Sequence, residues 1–238
     1  MRHERPLTDV SAWIWLALAA ALAAQLALRS AQPAAAPAAG DLPPAPGVAA
    51  LRLAAFGEPE AFARVLMLYL QAFDYHGTNT LPYARLDYRR LVQWLHAILE
   101  LDPRSEYPLM AAARVYAETA DVARSRIALD FVYREFPRDP PRRWQWLAHA
   151  ALLAKHRLHD LALARQYAAA VEAHTRDLPG VPLWAKQMQV FILEDMNELE
   201  AARIMLGGLL DSGAIGDPEE ARYLELHLRD LERRSQPK

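Results

Sequence analysis

The chain has 238 residues, a length that corresponds to one or two domains. Alanine accounts for 46 residues, whereas valine, isoleucine and threonine together account for 21. Because β-branched residues favour strands and alanine favours helices, this composition largely excludes a fold built on sheets. The formal net charge of −2 lacks the basic excess of a nucleic-acid-binding protein, and the absence of cysteine excludes disulfides, thiolate metal sites and cysteine nucleophiles.

The first predicted element is an apolar helix near the N-terminus. Residues 10–28 carry no charged side chain and are interrupted only by Ser11 and Gln25. At 1.5 Å per residue the segment spans roughly 28 Å, close to the ~30 Å hydrocarbon core of a bilayer. We therefore predict a transmembrane helix over residues 10–28. A cleaved signal peptide, whose apolar region is normally about 7–15 residues long, and a buried globular helix are the alternatives.

Basic residues predict the orientation of this helix. Arg2 and Arg5 precede the span, whereas Arg29 alone follows it before Arg52. The positive-inside rule then places residues 1–9 in the cytoplasm and the bulk of the chain across the membrane. An excess of 24 arginines over 3 lysines is typical of a GC-rich bacterial genome. We therefore predict a single-pass inner-membrane protein with a periplasmic C-terminal domain.

Residues 29–50 are predicted to form an alanine- and proline-rich linker. Five prolines oppose a regular helix, and the composition offers little to bury. We expect a stiff spacer of polyproline type that separates the membrane span from a helical domain over residues 51–238.

The remaining residues read as helices in series, which predicts an all-α fold. The predicted helices cover residues 58–73, 87–101, 106–119, 121–136, 141–155, 160–174, 182–195, 198–211 and 217–234. Asp160 and Asp217 are placed to cap helix starts, and Asn197 with Glu200 resembles a capping box. The pair 207–208 is glycine within a predicted helix, where we expect close helix packing.

A repeat runs through this array. Pro103 and Pro137 lie 34 residues apart, at the ends of "AILELDP" and "FVYREFP". A helix–turn–helix unit of this period that ends in proline is the tetratricopeptide pattern, which begins W-x2-L-G-x2-Y. In one unit, the Trp, Leu, Gly and Tyr places are taken by Leu109, Ala112, Ala113 and Tyr116. In the next unit, the first three places are taken by Trp144, Leu147 and Ala148. In a third unit, Trp184 takes the Trp place and Phe191 takes the Tyr place.

Over residues 87–212 the chain resembles the tetratricopeptide repeat (TPR) family, and over 58–86 it departs from the pattern. The resemblance implies an α-solenoid of about four TPR-like helix pairs, with 217–234 as a C-terminal capping helix. The whole chain is similar to single-pass inner-membrane proteins with a periplasmic TPR domain. Proteins of that class act through protein–protein contacts.

The resemblance also implies a binding groove, because in the family the first helix of each repeat lines a concave face. The corresponding residues here are Tyr107, Met110, Arg114, Arg142, Gln145, His149 and Gln189. Cations, amides and apolar side chains in such a lining suit an extended peptide or a helix. The long predicted loop 74–87 adds Tyr75, His76 and Tyr83 as candidate partner contacts.

Two polar clusters are weaker candidates for chemistry. His149 and His156 lie two helical turns apart, about 10 Å, which is too far to share one metal ion, and His159 falls in a predicted turn. The acidic residues between positions 194 and 200 surround another turn, where capping explains them. We therefore expect no cofactor, no metal site and no enzymatic activity.

The sequence thus predicts a membrane-anchored, TPR-like scaffold or adaptor that mediates protein–protein interactions at the bacterial cell envelope. Two alternatives remain: an all-α enzyme of unrecognised type, and a cleaved, soluble periplasmic module that binds peptides.

Overall fold

The structure is a computed structural model that describes residues 11–31, 42–72, 86–211, 215 and 217–235. These residues form α-helices and two short 3₁₀ turns without any β-strand, which confirms the predicted all-α class. The chain divides into two compact units, residues 1–40 and 41–238.

The first unit contains helix α1, Ala12–Ala31, which overlaps the predicted 10–28 segment. Its described side chains are exposed on all sides, and the large apolar ones, from Trp13 to Leu28, are 49–74% exposed. Across the described ranges, no helix combines the length and the apolar character needed to cross a membrane. Residues 1–9, predicted to be cytoplasmic, lie outside the described part.

The second unit contains ten helices in its described ranges. In chain order they are α2 Val48–Ala54, α3 Pro59–Ala72, α4 Tyr88–Leu101, α5 Tyr107–Arg114, α6 Val122–Glu135, α7 Pro140–His156, α8 Leu161–Thr175, α9 Leu183–Asp195, α10 Leu199–Asp211 and α11 Pro218–Ser235. Eight of them, α3, α4 and α6–α11, agree with the predicted bounds to within one residue. Helix α5 ends earlier than predicted and passes into a 3₁₀ turn at Tyr116–Glu118.

Aspartate side chains cap the starts of four helices; at α11, Asp217 accepts a hydrogen bond from the backbone amide of Glu219 at 2.9 Å. The side chains of Asp87, Asp121 and Asp160 accept hydrogen bonds from backbone amides in the first turns of α4, α6 and α8. Each carboxylate satisfies donors that the helix itself leaves unpaired and lies at the positive end of the helix dipole.

Two local predictions about this unit are wrong. Asn197 has a φ of 60° directly after α9, so it ends that helix in the left-handed conformation and does not cap α10. Gly207 and Gly208 have open space where a Cβ would stand: apart from their chain neighbours and the backbone of their own helix, no heavy atom lies within 4 Å. Close helix packing therefore does not explain either glycine.

Residues 42–50 correct the predicted linker. Leu42 is fully buried, and Arg90 Nη1 donates to its carbonyl oxygen at 2.9 Å. Trp94 Nε1 donates to the carbonyl oxygen of Pro43 at 2.8 Å. The prolines leave these carbonyls without helical partners, so the side chains of α4 can bind them. We call residues 42–47 the strap; with α2 it belongs to the folded domain. The rest of the predicted linker, from residue 32 to 41, lies outside the described residues.

Side-chain contacts join helices two apart in the chain at nearly constant spacing. Tyr167 of α8 donates to Asp130 of α6 at 2.8 Å across 37 residues, and Gln145 of α7 donates to Glu106 beside α5 across 39. Helices α9 and α11 are joined in the same way across 33 and 40 residues. Consecutive helix pairs are therefore stacked with a regular offset.

The beginning of the domain follows the same order, with a link across 36 residues between α3 and α5. Gln71, near the end of α3, donates to the hydroxyl of Tyr107 at the start of α5.

Most buried residues form one apolar core that extends from Leu42 to Ile192. A second, smaller cluster lies between α9, α10 and α11 and includes the buried Leu224 and Leu231.

Candidate partner-binding surface

Helix α7 presents one stripe of side chains away from the core. Gln145, His149, Leu152 and His156 follow a spacing of four, three and four residues, which places them on one helical face. Three of them are exposed and His149 is half-buried; the apolar side chain of Leu152 is 41% exposed. The stripe contains the predicted groove positions Gln145 and His149.

Helices α5 and α7 lie side by side and run in the same direction. At their beginnings, Glu106 accepts hydrogen bonds from Gln145 Nε2 at 2.5 Å and from Trp146 Nε1 at 3.2 Å. At their ends, Arg157 forms an ion pair with Glu118. The outward residues of α5 therefore lie next to the stripe on α7.

His149 lies at the centre of this arrangement. Its Nε2 atom is buried and has no hydrogen-bond partner among the described residues. Burial lowers the pKa of the imidazole, the nearby Arg114 lowers it further, and Glu118 opposes the shift. His149 is therefore neutral at pH 7 and leaves one hydrogen-bonding position unused.

The two predicted groove arginines differ in their pairing. Arg142 Nε donates to Asp139 at 2.6 Å, within the first turn of its own helix. Arg114 is exposed, and within the described part of the chain its guanidinium makes no hydrogen bond or ion pair. Arg114 is thus the cation on this surface that can bind an external carboxylate without breaking an internal bond.

The other predicted groove residues do not extend the surface. The hydroxyl of Tyr107 is engaged by Gln71, and Gln189 is half-buried on α9. Ala185 and Ile192, which lie one helical turn to either side of Gln189, are 0% and 3% exposed. We therefore define the α5–α7 surface by the residues Met110, Arg114, Gln145, His149 and Leu152.

A tryptophan pair links α7 to α9 beside this surface. The rings of Trp144 and Trp184 are 5.7 Å apart between centroids in an edge-to-face arrangement. Trp184 is 49% exposed and Trp144 is half-buried, so the pair is accessible to solvent on one side. The three loop candidates, Tyr75, His76 and Tyr83, lie outside the described residues.

The polar clusters have structural roles. Asp160 caps α8 and pairs with Arg126 at 2.7 Å. Glu194 accepts from His227 Nε2 at 2.6 Å and from Arg234 at 3.2 Å, which fastens α11 to α9. In the ranges that the structure describes, no three histidine or acidic side chains are arranged to hold a metal ion.

Sequence reasoning missed a charged groove between α4 and α6. Its volume is about 460 Å³, and its lining includes His96 and Glu135. Glu135 is 6% exposed; its carboxylate meets His96 Nδ1 at 2.9 Å and Arg138 at 3.1 Å. The one signal that could have paired His96 with Glu135 is their separation of 39 residues, close to the repeat period.

Comparison with known protein families, curated proteins and solved structures gives no match for this chain. Helix α1 and the α5–α7 surface are therefore the features from which a function is inferred.

Proposed function

We propose that the protein is a scaffold or adaptor of the bacterial cell envelope. Helix α1 anchors it in the inner membrane, and a periplasmic, TPR-like α-solenoid binds a protein or peptide partner. The observation that carries the proposal is the α5–α7 surface. Arg114, whose guanidinium has no ion-pair partner among the described residues, lies near His149, and the exposed apolar side chain of Leu152 follows His149 by one helical turn.

The regular offset of the helix pairs supports the TPR-like part. Side-chain links between alternate helices span 33–40 residues, a range that includes the 34-residue repeat. Ala113 and Ala148, at the small-residue places of two units, are 0% and 1% exposed. Helix α11 takes the place of a cap that covers the last apolar face.

The chemistry of the α5–α7 surface suggests the class of partner. Arg114 offers planar donors for a carboxylate, and Leu152 with Met110 offers shallow apolar contact. Gln145 adds an amide at the edge. We infer that the partner supplies an extended segment or helix that carries an acidic and an apolar side chain a few residues apart.

The exposure of α1 supports the anchor. Residues 12–28 include no charged side chain and expose apolar groups on every side, an arrangement that water disfavours. This stretch is roughly 26 Å long, somewhat less than the ~30 Å core, and bilayers accommodate such a mismatch by local thinning. Trp13 and Trp15 near one end and Arg29 at the other suit the two interfaces.

Site-specific photo-crosslinking in cells tests the binding surface. A photoreactive amino acid replaces Leu152 in the full chain, and the matched control replaces Val122, an equally apolar residue at the start of α6 that is 56% exposed. We expect discrete crosslinked products from position 152 that disappear when Arg114 is changed to Ala. Identical products from both positions would exclude the α5–α7 surface as the binding site.

Fractionation and a reporter fusion test the anchor and its orientation. We expect the full chain to stay with the membrane after extraction at alkaline pH, and a reporter active only outside the cytoplasm to work when fused after Lys238. A soluble periplasmic protein with a shortened N-terminus would establish the cleaved module instead. Activity of a cytoplasm-only reporter at Lys238 would reverse the orientation.

A further inference from the structure

The turn between α2 and α3 displays two large apolar side chains. Phe56 is 95% exposed and Leu53 is 80% exposed, the highest values among the large apolar residues of the described ranges. The turn is closed by backbone hydrogen bonds from Phe56 to Leu53 at 3.3 Å and from Glu58 to Ala55 at 2.9 Å. Leu53 and Phe56 therefore project from a defined backbone; we call this segment, residues 53–56, the apolar turn.

The backbone of the apolar turn is unusual for the residue it carries. Phe56 has a φ of 48° and is followed by Gly57 at 90°. A bulky residue rarely adopts the left-handed region, and such strain persists only where the surroundings enforce it. Here the buried Leu51 and Ala55, 4% and 6% exposed, hold the turn against the domain. The fold thus holds an aromatic ring outward at a cost in backbone energy.

We propose that the apolar turn inserts into the interfacial region of the lipid bilayer, as a second membrane contact of the chain. This inference rests on the proposed membrane anchor and adds to it the site where the helical domain meets the lipid. Two protruding apolar side chains beside an arginine are the composition of an interfacial membrane contact.

The length of the tether favours a lipid partner. Ten residues, 32–41, separate the end of α1 from the strap, and an extended chain of that length reaches at most about 36 Å. The strap is bound to Arg90, and Arg52 of α2 donates to the carbonyl of Glu100 at 3.4 Å. Those two points on α4 are about 15 Å apart, so the apolar turn is close to where the tether joins the domain.

The charged side chains around the turn are of both signs, as are the groups of a phospholipid headgroup. Arg52 directly precedes Leu53 and is exposed, as is Arg64 on α3, and the exposed acids Glu58 and Glu60 follow Phe56. Arginine stems lie along apolar surfaces while their guanidinium groups reach lipid phosphates. Insertion of Phe56 and Leu53 would therefore bring Arg52 to the depth of the headgroups.

The absence of cysteine in the chain allows a direct test. The full-length protein carrying Phe56→Cys is labelled with an environment-sensitive fluorophore and reconstituted in phosphatidylcholine–phosphatidylglycerol vesicles, with or without spin-labelled lipids that quench fluorescence inside the bilayer. Leu18→Cys in α1 reports on the anchor. Tyr223→Cys on α11, at a side chain 58% exposed, is the matched control at the last helix of the stack.

We expect the label at position 56 to shift to shorter wavelength and to be quenched severalfold more than the label at position 223. If position 56 behaves like 223 while position 18 is quenched, the apolar turn does not touch lipid and the anchor stands. A blue shift at position 56 without quenching would place the turn against protein, which also overturns the inference. If position 18 is not quenched, the proposed anchor itself fails, and this inference fails with it.

Discussion

Ala113 and Ala148 test the helix faces at the scale of single residues. Ala113 on α5 is 0% exposed and Ala148 on α7 is 1% exposed. Replacement of either by Leu adds three carbons to a filled contact, and we expect the free energy of unfolding to fall by about 1–3 kcal/mol. Urea unfolding of the two variants measures the loss.

Arg114→Ala is the control for this pair, because Arg114 adjoins Ala113 in sequence but is exposed. Its stability should stay within roughly 0.5 kcal/mol of the parent, as at other exposed positions. If the leucine variants melt like the parent while Arg114→Ala unfolds early, the assigned faces of α5 and α7 are wrong, and the α5–α7 surface with them.

His149 makes stability depend on pH. Burial and the charge of Arg114 lower its pKa in the folded protein below the ordinary value of 6.5. The unfolded chain therefore binds a proton more readily than the folded protein does. The contribution of His149 to the free energy of unfolding is therefore fully present above pH 6.5, and it is lost as the pH falls below that value toward the folded-state pKa.

We expect His149→Leu to reduce the acid sensitivity of the protein. Between pH 7 and pH 5 the parent should lose more unfolding free energy than the variant, as measured by urea titrations at both pH values. His156→Leu, an exposed change on the same stripe, is the control and should follow the parent. A steeper acid loss in His149→Leu than in the parent would contradict the assigned direction of the pKa shift.

At the scale of elements, one carboxylate holds the last helix. Glu194 accepts from His227 and Arg234, and its side chain is only 12% exposed. Glu194→Ala removes both bonds, so we expect α11 to open more readily by about 1–3 kcal/mol. Hydrogen exchange of the amides in residues 218–235 measures the opening.

The control for α11 is Glu198→Ala, an exposed acid on the same turn. It should leave exchange in α11 unchanged. Loss of protection throughout α7–α10 in Glu194→Ala would show that α11 is part of one cooperative unit and not a separately opening cap.

Most helix bounds could be predicted because local chemistry determines them. Asp87, Asp121 and Asp160 begin helices through their own side chains, and the apolar period then runs to the next break. The strap could not be predicted, since its proline-rich composition is that of a spacer, and α2 is a helix of only seven residues. Docking of the strap depends on Arg90 and Trp94, which lie 48 and 51 residues further along.

The repeat register predicted a line of groove positions, but not their exposure. Gln145 and His149 lie on the stripe of α7 that faces away from the core. On α9, Gln189 is half-buried, and Ala185 and Ile192, one turn to either side of it, are buried because α9 packs against both α7 and α8. The hydrogen-bond and ion-pair partners of each arginine also could not be predicted, since they depend on side-chain positions that the repeat spacing does not determine.

For the whole molecule, the strap defines the boundary of the folded domain. A chain that lacks residues 1–30 keeps Leu42 and its bonds to α4, so we expect a folded, helical protein. A chain that lacks residues 1–50 loses the fully buried Leu42 and exposes the indole N–H of Trp94. Its free energy of unfolding should be lower by about 2–5 kcal/mol, the range for removing a large buried side chain.

Circular dichroism melts of the two truncations make the comparison. Equal melting temperatures would show that the strap does not contribute to stability. Loss of helical signal already in the chain that lacks residues 1–30 would show that the domain depends on its N-terminal segment.

The strap also has a consequence for the order of folding during synthesis. Links between alternate helices of the stack close loops of 33–40 residues, whereas the strap closes loops of 48 and 51 residues. Longer loops lose slightly more entropy on closure, and the ribosome delivers the strap before its acceptor helix exists. The strap, which is translated first, therefore cannot pack against the domain until α4 has left the ribosome. Docking of the strap onto α4 becomes possible once Trp94 has been synthesised.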